Sequence, residues 1–184
     1  MKLKAFLLLG VLAVSFGCAS IGTPFIKMRP DYSEVPEAEL HAAAAAIEKA
    51  ILQEERELQS GDFPGVVLDT PEIKQAIRTR AARAALVKEF LASGHVYEQR
   101  GGTIKIMNSR EYKKNTTRRE RDRNAVLIMG ENQSRWALYE GIVKASNWPS
   151  SALGAVQHSF YQARISLLAP GARYEDESGT IVVK

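Results

Sequence analysis

The only cysteine of this 184-residue chain stands at position 18, directly behind an apolar run, and that placement constrains the fold more than any other feature. Residues 5–16 (AFLLLGVLAVSF) follow the positive Lys2 and Lys4. The run is too short for a membrane span of about 20 residues, and its flanks are those of an export signal, so residues 1–17 are expected to be a signal peptide. Past position 18 the chain has no thiol left for a disulfide, a redox motif or a thiolate metal site. Whatever folds beyond it must be held together by packing.

Ser15-Phe16-Gly17-Cys18 resembles a bacterial lipobox, in which a small residue precedes a cysteine that is acylated and becomes the new N-terminus. The resemblance implies lipidation at Cys18 and attachment to the membrane through that lipid. It implies a periplasm-facing lipoprotein of the bacterial cell envelope, with Ala19 favouring the outer membrane. The alternative is a soluble periplasmic protein cut near Ala19 or Ser20. Residues 18–34, which mix Pro, Gly and isolated apolar positions without a period, read as a tether between anchor and domain.

The whole chain has the 45% hydrophobic and 25% charged content of an ordinary globular domain, which argues against a wholly disordered chain. Only one early stretch is long and apolar enough to approach a span, which excludes a multi-span membrane bundle. Charge is unevenly placed. Residues 34–62 carry eight acids against Lys49 and Arg56, whereas residues 72–124 carry fourteen Lys and Arg against six acids. Two oppositely charged segments in one small domain can attract each other or two different partners.

Apolar spacing predicts the elements. Leu40, Ala44, Ile47, Ile51 and Leu58 recur three, four or seven apart and define an acidic amphipathic helix within residues 35–61, stopped by Ser60-Gly61. Thr70-Pro71-Glu72 starts a second helix. That helix carries Ile73, Ile77, Ala81, Ala84, Val87, Phe90 and Leu91 inward, with Lys74, Arg78, Arg80, Arg83 and Lys88 on its wet sides, as far as Ser93-Gly94. Residues 95–99 and 104–107 read as strands around a glycine turn, and residues 172–184 as a second hairpin. Between them lie a basic stretch at residues 109–123, a long helix reaching Ala145, and a last helix to about Leu168. The expected fold class is α+β and mainly α, with about four helices. The two short hairpins are expected to join into a small antiparallel sheet, since neither is stable alone.

Catalytic chemistry is not legible. His41, His95 and His158 are isolated, without metal-ligand spacing, and there is no nucleophile elbow or phosphate-binding loop. Paired acids such as Glu54-Glu55 sit on a solvated helix where nothing raises their pKa. The expectation is no catalytic residue, no metal and no cofactor, with a cell-wall hydrolase as a remote alternative. The basic stretch, represented by Lys113, Lys114, Arg118, Arg119 and Arg121, offers contact with anionic lipid, or else is a solvated face or a partner for the acidic helix. Nucleic acid is not expected for an exported protein.

The second half of the chain resembles the YdbL-like family of small periplasmic proteins, of which this would be a longer lipoprotein form. The likeness lies in Gly94-His-Val-Tyr-Glu98 with the following glycine pair, in Asn132-Gln-Ser-Arg135 with Tyr139, in Pro149, and in Pro170-Gly171, Gly179 and Lys184. Residues 62–184 would form that helical domain. The resemblance implies a non-enzymatic, chaperone-like accessory role in intermembrane phospholipid transport, beside an AsmA-like bridge protein or a small lipoprotein. Asn132, Arg135 and Tyr139 fall at i, i+3 and i+7 on one helix face. They either grip a partner or hold a hairpin turn, and Glu98 with Lys184 invites the same reading, as a pair clamping the two hairpins.

Overall fold

The computed structural model describes residues 30–57 and 61–184; Cys18, the signal segment and most of the tether lie outside the described residues. The α+β, mainly helical class holds, with six α-helices among the described residues and a small sheet.

Helix α1 spans Glu37–Leu52. It stops before the expected glycine signal because Glu54 takes a left-handed conformation (φ 61°). The Glu55 N–H then donates to the Ala50 carbonyl at 2.9 Å and the Glu54 N–H to that of Ile51 at 3.0 Å, which satisfies the open end of the helix. The single helix expected from Thr70 to Ser93 is two, α2 (Pro71–Ala81) and α3 (Ala84–Ala92). Thr70 caps α2 as its sequence promised, its Oγ1 accepting from the Ile73 N–H at 3.3 Å. The break at Ala82-Arg83 has no local breaker residue, and its cause is tertiary. Ile73 and Ile77 belong to a core with Leu40, Ile47, Leu138 and Phe160, whereas Val87 and Phe90 belong to a second cluster with Val96, Ile104, Tyr112 and Ile128. One straight helix would not deliver both faces.

The basic stretch forms α4 (Arg110–Asn115) and the first turns of α5 (Arg118–Ala145). A capping box at Thr117 and Glu120 opens α5, the Glu120 carboxylate accepting from the Thr117 N–H at 2.7 Å. Pro149 and a single 3-10 turn at Ser150–Ala152 lead into α6 (Leu153–Leu167). Helix α1, set apart by charge as a segment of its own, packs along α6 and shares the main core with α2 and α5.

Strands β1 (Val96–Glu98) and β2 (Ile104–Ile106) form the first hairpin, β3 (Arg173–Glu175) and β4 (Ile181–Val183) the second. They join in the order β2-β1-β3-β4. The sheet is mixed rather than antiparallel, because β1 and β3 run parallel, Tyr97 facing Arg173 and Glu98 facing Tyr174. Three helices separate the two strands in sequence, which supplies the long crossover that a parallel pair requires. At the β1–β2 turn Gly102 has φ +83°, and a Cβ there would lie 2.9 Å from the Tyr139 ring, so the turn presses on α5 where a side chain would not fit.

Candidate functional site: a buried ring of alternating charge

Three glutamates and three arginines from five elements meet in the interior, each at most 5% exposed. Glu48 comes from α1, Arg80 from α2, Glu98 from β1, Glu131 and Arg135 from α5, and Arg164 from α6. They alternate in sign around a closed ring. Arg80 donates through Nη1 and Nη2 to both Glu48 oxygens, at 2.8 and 2.9 Å, and through Nε to Glu131 Oε1 at 2.9 Å. Arg135 Nε donates to the same Glu131 oxygen at 2.8 Å, and its two terminal nitrogens clasp Glu98 at 2.7 and 2.9 Å. Arg164 closes the circle, with Nε to Glu98 Oε2 at 3.0 Å and Nη1 to Glu48 Oε1 at 2.9 Å. Bidentate forks of this kind fix orientation as well as charge.

Tyr139 ties the ring to the hairpin. Its hydroxyl accepts from Arg164 Nη1 at 2.9 Å and donates to the Gly102 carbonyl at 2.8 Å, which Arg135 also reaches at 3.3 Å. One turn away, Asn132 treats Ile104 as a neighbouring strand would, its Oδ1 accepting from the Ile104 N–H at 2.8 Å and its Nδ2 donating to the Ile104 carbonyl at 2.9 Å.

The electrostatics follow from the geometry. Burial pushes the Glu131 carboxyl up, but Arg80 and Arg135 outweigh it and bring the pKa down to about 2. Glu48 and Glu98 are likewise held below their ordinary values, burial being overcome by Arg80 with Arg164 and by Arg135 with Arg164 respectively. Burial raises the Tyr139 hydroxyl, so it stays a donor. All three carboxylates are therefore ionised acceptors, the opposite of what a general acid requires. Two polar atoms are left over: Arg164 Nη2 has no hydrogen-bond partner, and Glu131 Oε2 has only the charge of Arg83 Nη2 at 3.7 Å.

Of the residues singled out from sequence, Glu98, Asn132, Arg135 and Tyr139 thus come together, all with contacts inside the molecule. The expected Glu98–Lys184 clamp does not form. Both Glu98 oxygens are taken by Arg135 and Arg164, and Lys184 is exposed, touching the sheet only through backbone bonds to Gly171 and Ala172. Arg80, expected on a wet side, is 2% exposed. Of the basic stretch, Lys113, Lys114, Arg118 and Arg119 are exposed, whereas Arg121 folds back on the Thr116 carbonyl at the α4–α5 joint. Glu48, Glu131 and Arg164 were not singled out at all. Each sits where an apolar row should continue, Arg164 following Val156 and Phe160 at steps of four, and that is the signal that could have found them.

Beside the ring lies a cavity of about 300 Å³, walled by apolar residues from the C-terminal end of α1, from α3 and from the segment after α6. The histidines stay outside it: His95 lies against Tyr112, and His158 accepts or donates through Nδ1 with the Tyr32 hydroxyl at 2.9 Å. Among the described residues no group of three or more His, Cys, Asp and Glu is placed to hold a metal ion, and no helix is long and apolar enough to cross a membrane. Comparison with protein-family models, curated proteins and solved structures finds no match to this chain.

Proposed function

We propose that this chain is a non-enzymatic envelope lipoprotein, held to the membrane through Cys18, that serves as an accessory or chaperone-like partner in intermembrane phospholipid transport. The transport role is the one implied by the YdbL-like resemblance of the second half. The observation that supports a non-catalytic role is the ring itself. Six buried ionisable groups, the richest chemistry among the described residues, are spent on one another and locked in their charged forms. Its partner on this reading is an AsmA-like bridge protein or a small lipoprotein.

Deletion in a strain also lacking parallel transport systems is expected to make the outer membrane permeable, and affinity capture of the tagged chain to recover an envelope protein. Intact permeability together with no recovered partner would sink the proposal. Cys18→Ala is expected to move the protein from the membrane fraction to the soluble periplasm, and an unacylated wild-type N-terminus in mass spectra would refute the anchor.

A second reading rests on the exposed Lys113, Lys114, Arg118 and Arg119, which make α4 and the first turn of α5 basic. A structural membrane-surface role would have it bind anionic vesicles with an affinity that falls as salt rises. Binding indifferent to salt, or absent, would dismiss that role.

A further inference from the structure

We propose that the cavity beside the charge ring binds a single-chain fatty carboxylate, its head at Arg164 and its chain along the apolar wall. The inference goes beyond the transport role and holds or fails whether or not an envelope partner exists.

Three observations carry it. The first is size and lining. At about 300 Å³ the cavity is at the small end of ligand sites, room for one chain and not for the two of a phospholipid, and Ile51, Leu52, Val87, Leu91, Leu167 and Leu168 make its wall.

The second is charge. The residues lining the cavity include Glu48, Glu98 and Glu131 against Arg80, Arg135, Arg164 and Lys88. The ring cancels within itself, so Lys88, exposed on α3, leaves one positive charge in excess, which a monoanion balances.

The third is an unmet donor. Arg164 is 5% exposed, lines the cavity, and has no partner for Nη2. A buried guanidinium nitrogen without an acceptor is costly, and a carboxylate oxygen is the acceptor it lacks. Glu131 also lines the cavity with Oε2 lacking a hydrogen bond, but that oxygen keeps the charge of Arg83 Nη2 at 3.7 Å, whereas Arg164 Nη2 has no counterpart. A cationic head would oppose both Arg164 and Lys88.

The test uses the full chain carrying Cys18→Ala, exported and recovered without detergent, titrated calorimetrically with octanoate, decanoate and dodecanoate, and with decanol and decyltrimethylammonium. One carboxylate per chain is expected, with affinity rising about threefold to fourfold for each added methylene until the cavity is full. Decanoate is expected to bind at least about tenfold more tightly than decanol or the ammonium. Lys88→Glu should weaken decanoate without weakening decanol or changing the melting temperature, because Lys88 is exposed. Ala92→Trp, at a cavity-lining position exposed on α3, should abolish binding while the melting transition persists. No binding of any carboxylate, equal affinity for all three head groups, or undiminished binding by folded Ala92→Trp protein would each overturn the proposal. So would association with phosphatidylglycerol vesicles but with none of the single-chain carboxylates.

Discussion

Arg135 shows what a buried charge does in this molecule. Every nitrogen of its guanidinium is engaged, with Glu131, Glu98 and the Gly102 carbonyl, at 2% exposure. Replacing it by methionine keeps much of the volume but leaves Glu98 with Arg164 alone and removes the three hydrogen bonds that link Glu131 to Glu98 through Arg135. Loss of one partner from a buried pair costs about 3–5 kcal/mol, because the remaining charge stays desolvated. Urea unfolding of Arg135→Met is therefore expected to show a loss in that range. Arg78→Ala, which removes an exposed pair with Glu57, should change stability by less than about 0.5 kcal/mol. Equal effects from the two would mean that the ring adds nothing that the surface pair lacks. At this scale sequence was only partly informative. Arginine on a helix reads as solvated, and that default placed Arg80 outward, although Ile73, Ile77 and Arg80 run along one face of α2. The partners that make its burial tolerable lie 32 and 51 residues away, where no local pattern points.

At the scale of elements, the hairpins and the start of α2 were legible, because turns and caps are written in adjacent residues: Thr70 before Pro71, Gly102 in the turn. That the two hairpins share one sheet was legible as well, but the direction of the join was not. The parallel β1–β3 pairing, the split between α2 and α3 and the early stop of α1 are decided by distant packing or by a non-glycine residue adopting a left-handed turn. The junction carries a prediction. Strand β3 lies between β1 and β4, the Tyr161 hydroxyl donates to the Glu175 carbonyl, and the Glu175 carboxylate accepts from the Arg100 N–H at 3.3 Å. Removing residues 172–184 deletes both strands, leaves β1 unpaired on one side, and opens the cavity wall at Ala172. Circular dichroism of the truncated protein is expected to show loss of a cooperative thermal transition, with aggregation through the bared edge. An unchanged transition would mean that the second hairpin is an appendage.

The whole molecule should respond to acid in a way set by its interior. Glu48, Glu98 and Glu131 all have pKa values lowered on folding, Glu131 to about 2. Lowered carboxylates add stability that is complete above their unfolded pKa, about 4.3, and is lost as pH falls toward the folded value. Thermal melts are therefore expected to lose stability steeply between about pH 4.5 and pH 2. His158, lowered by burial and by the neighbouring His41 and Arg100, has the same sign at a higher pH, its contribution fading below about pH 6.5 as the ring charges. Stability that rose on acidification through pH 4 would contradict ionised carboxylates in the ring.

The ring also imposes an order on synthesis. Its glutamates come from α1, β1 and α5, but the guanidinium that closes it belongs to α6, and the middle of the sheet waits for β3. A growing chain that has made everything up to Ala145 holds three buried-to-be carboxylates and only two of their arginines, so no N-terminal fragment is both charge-balanced and able to complete the sheet. Such a chain gains little by folding early. The last helix and hairpin must therefore be made before either the ring or the sheet can close.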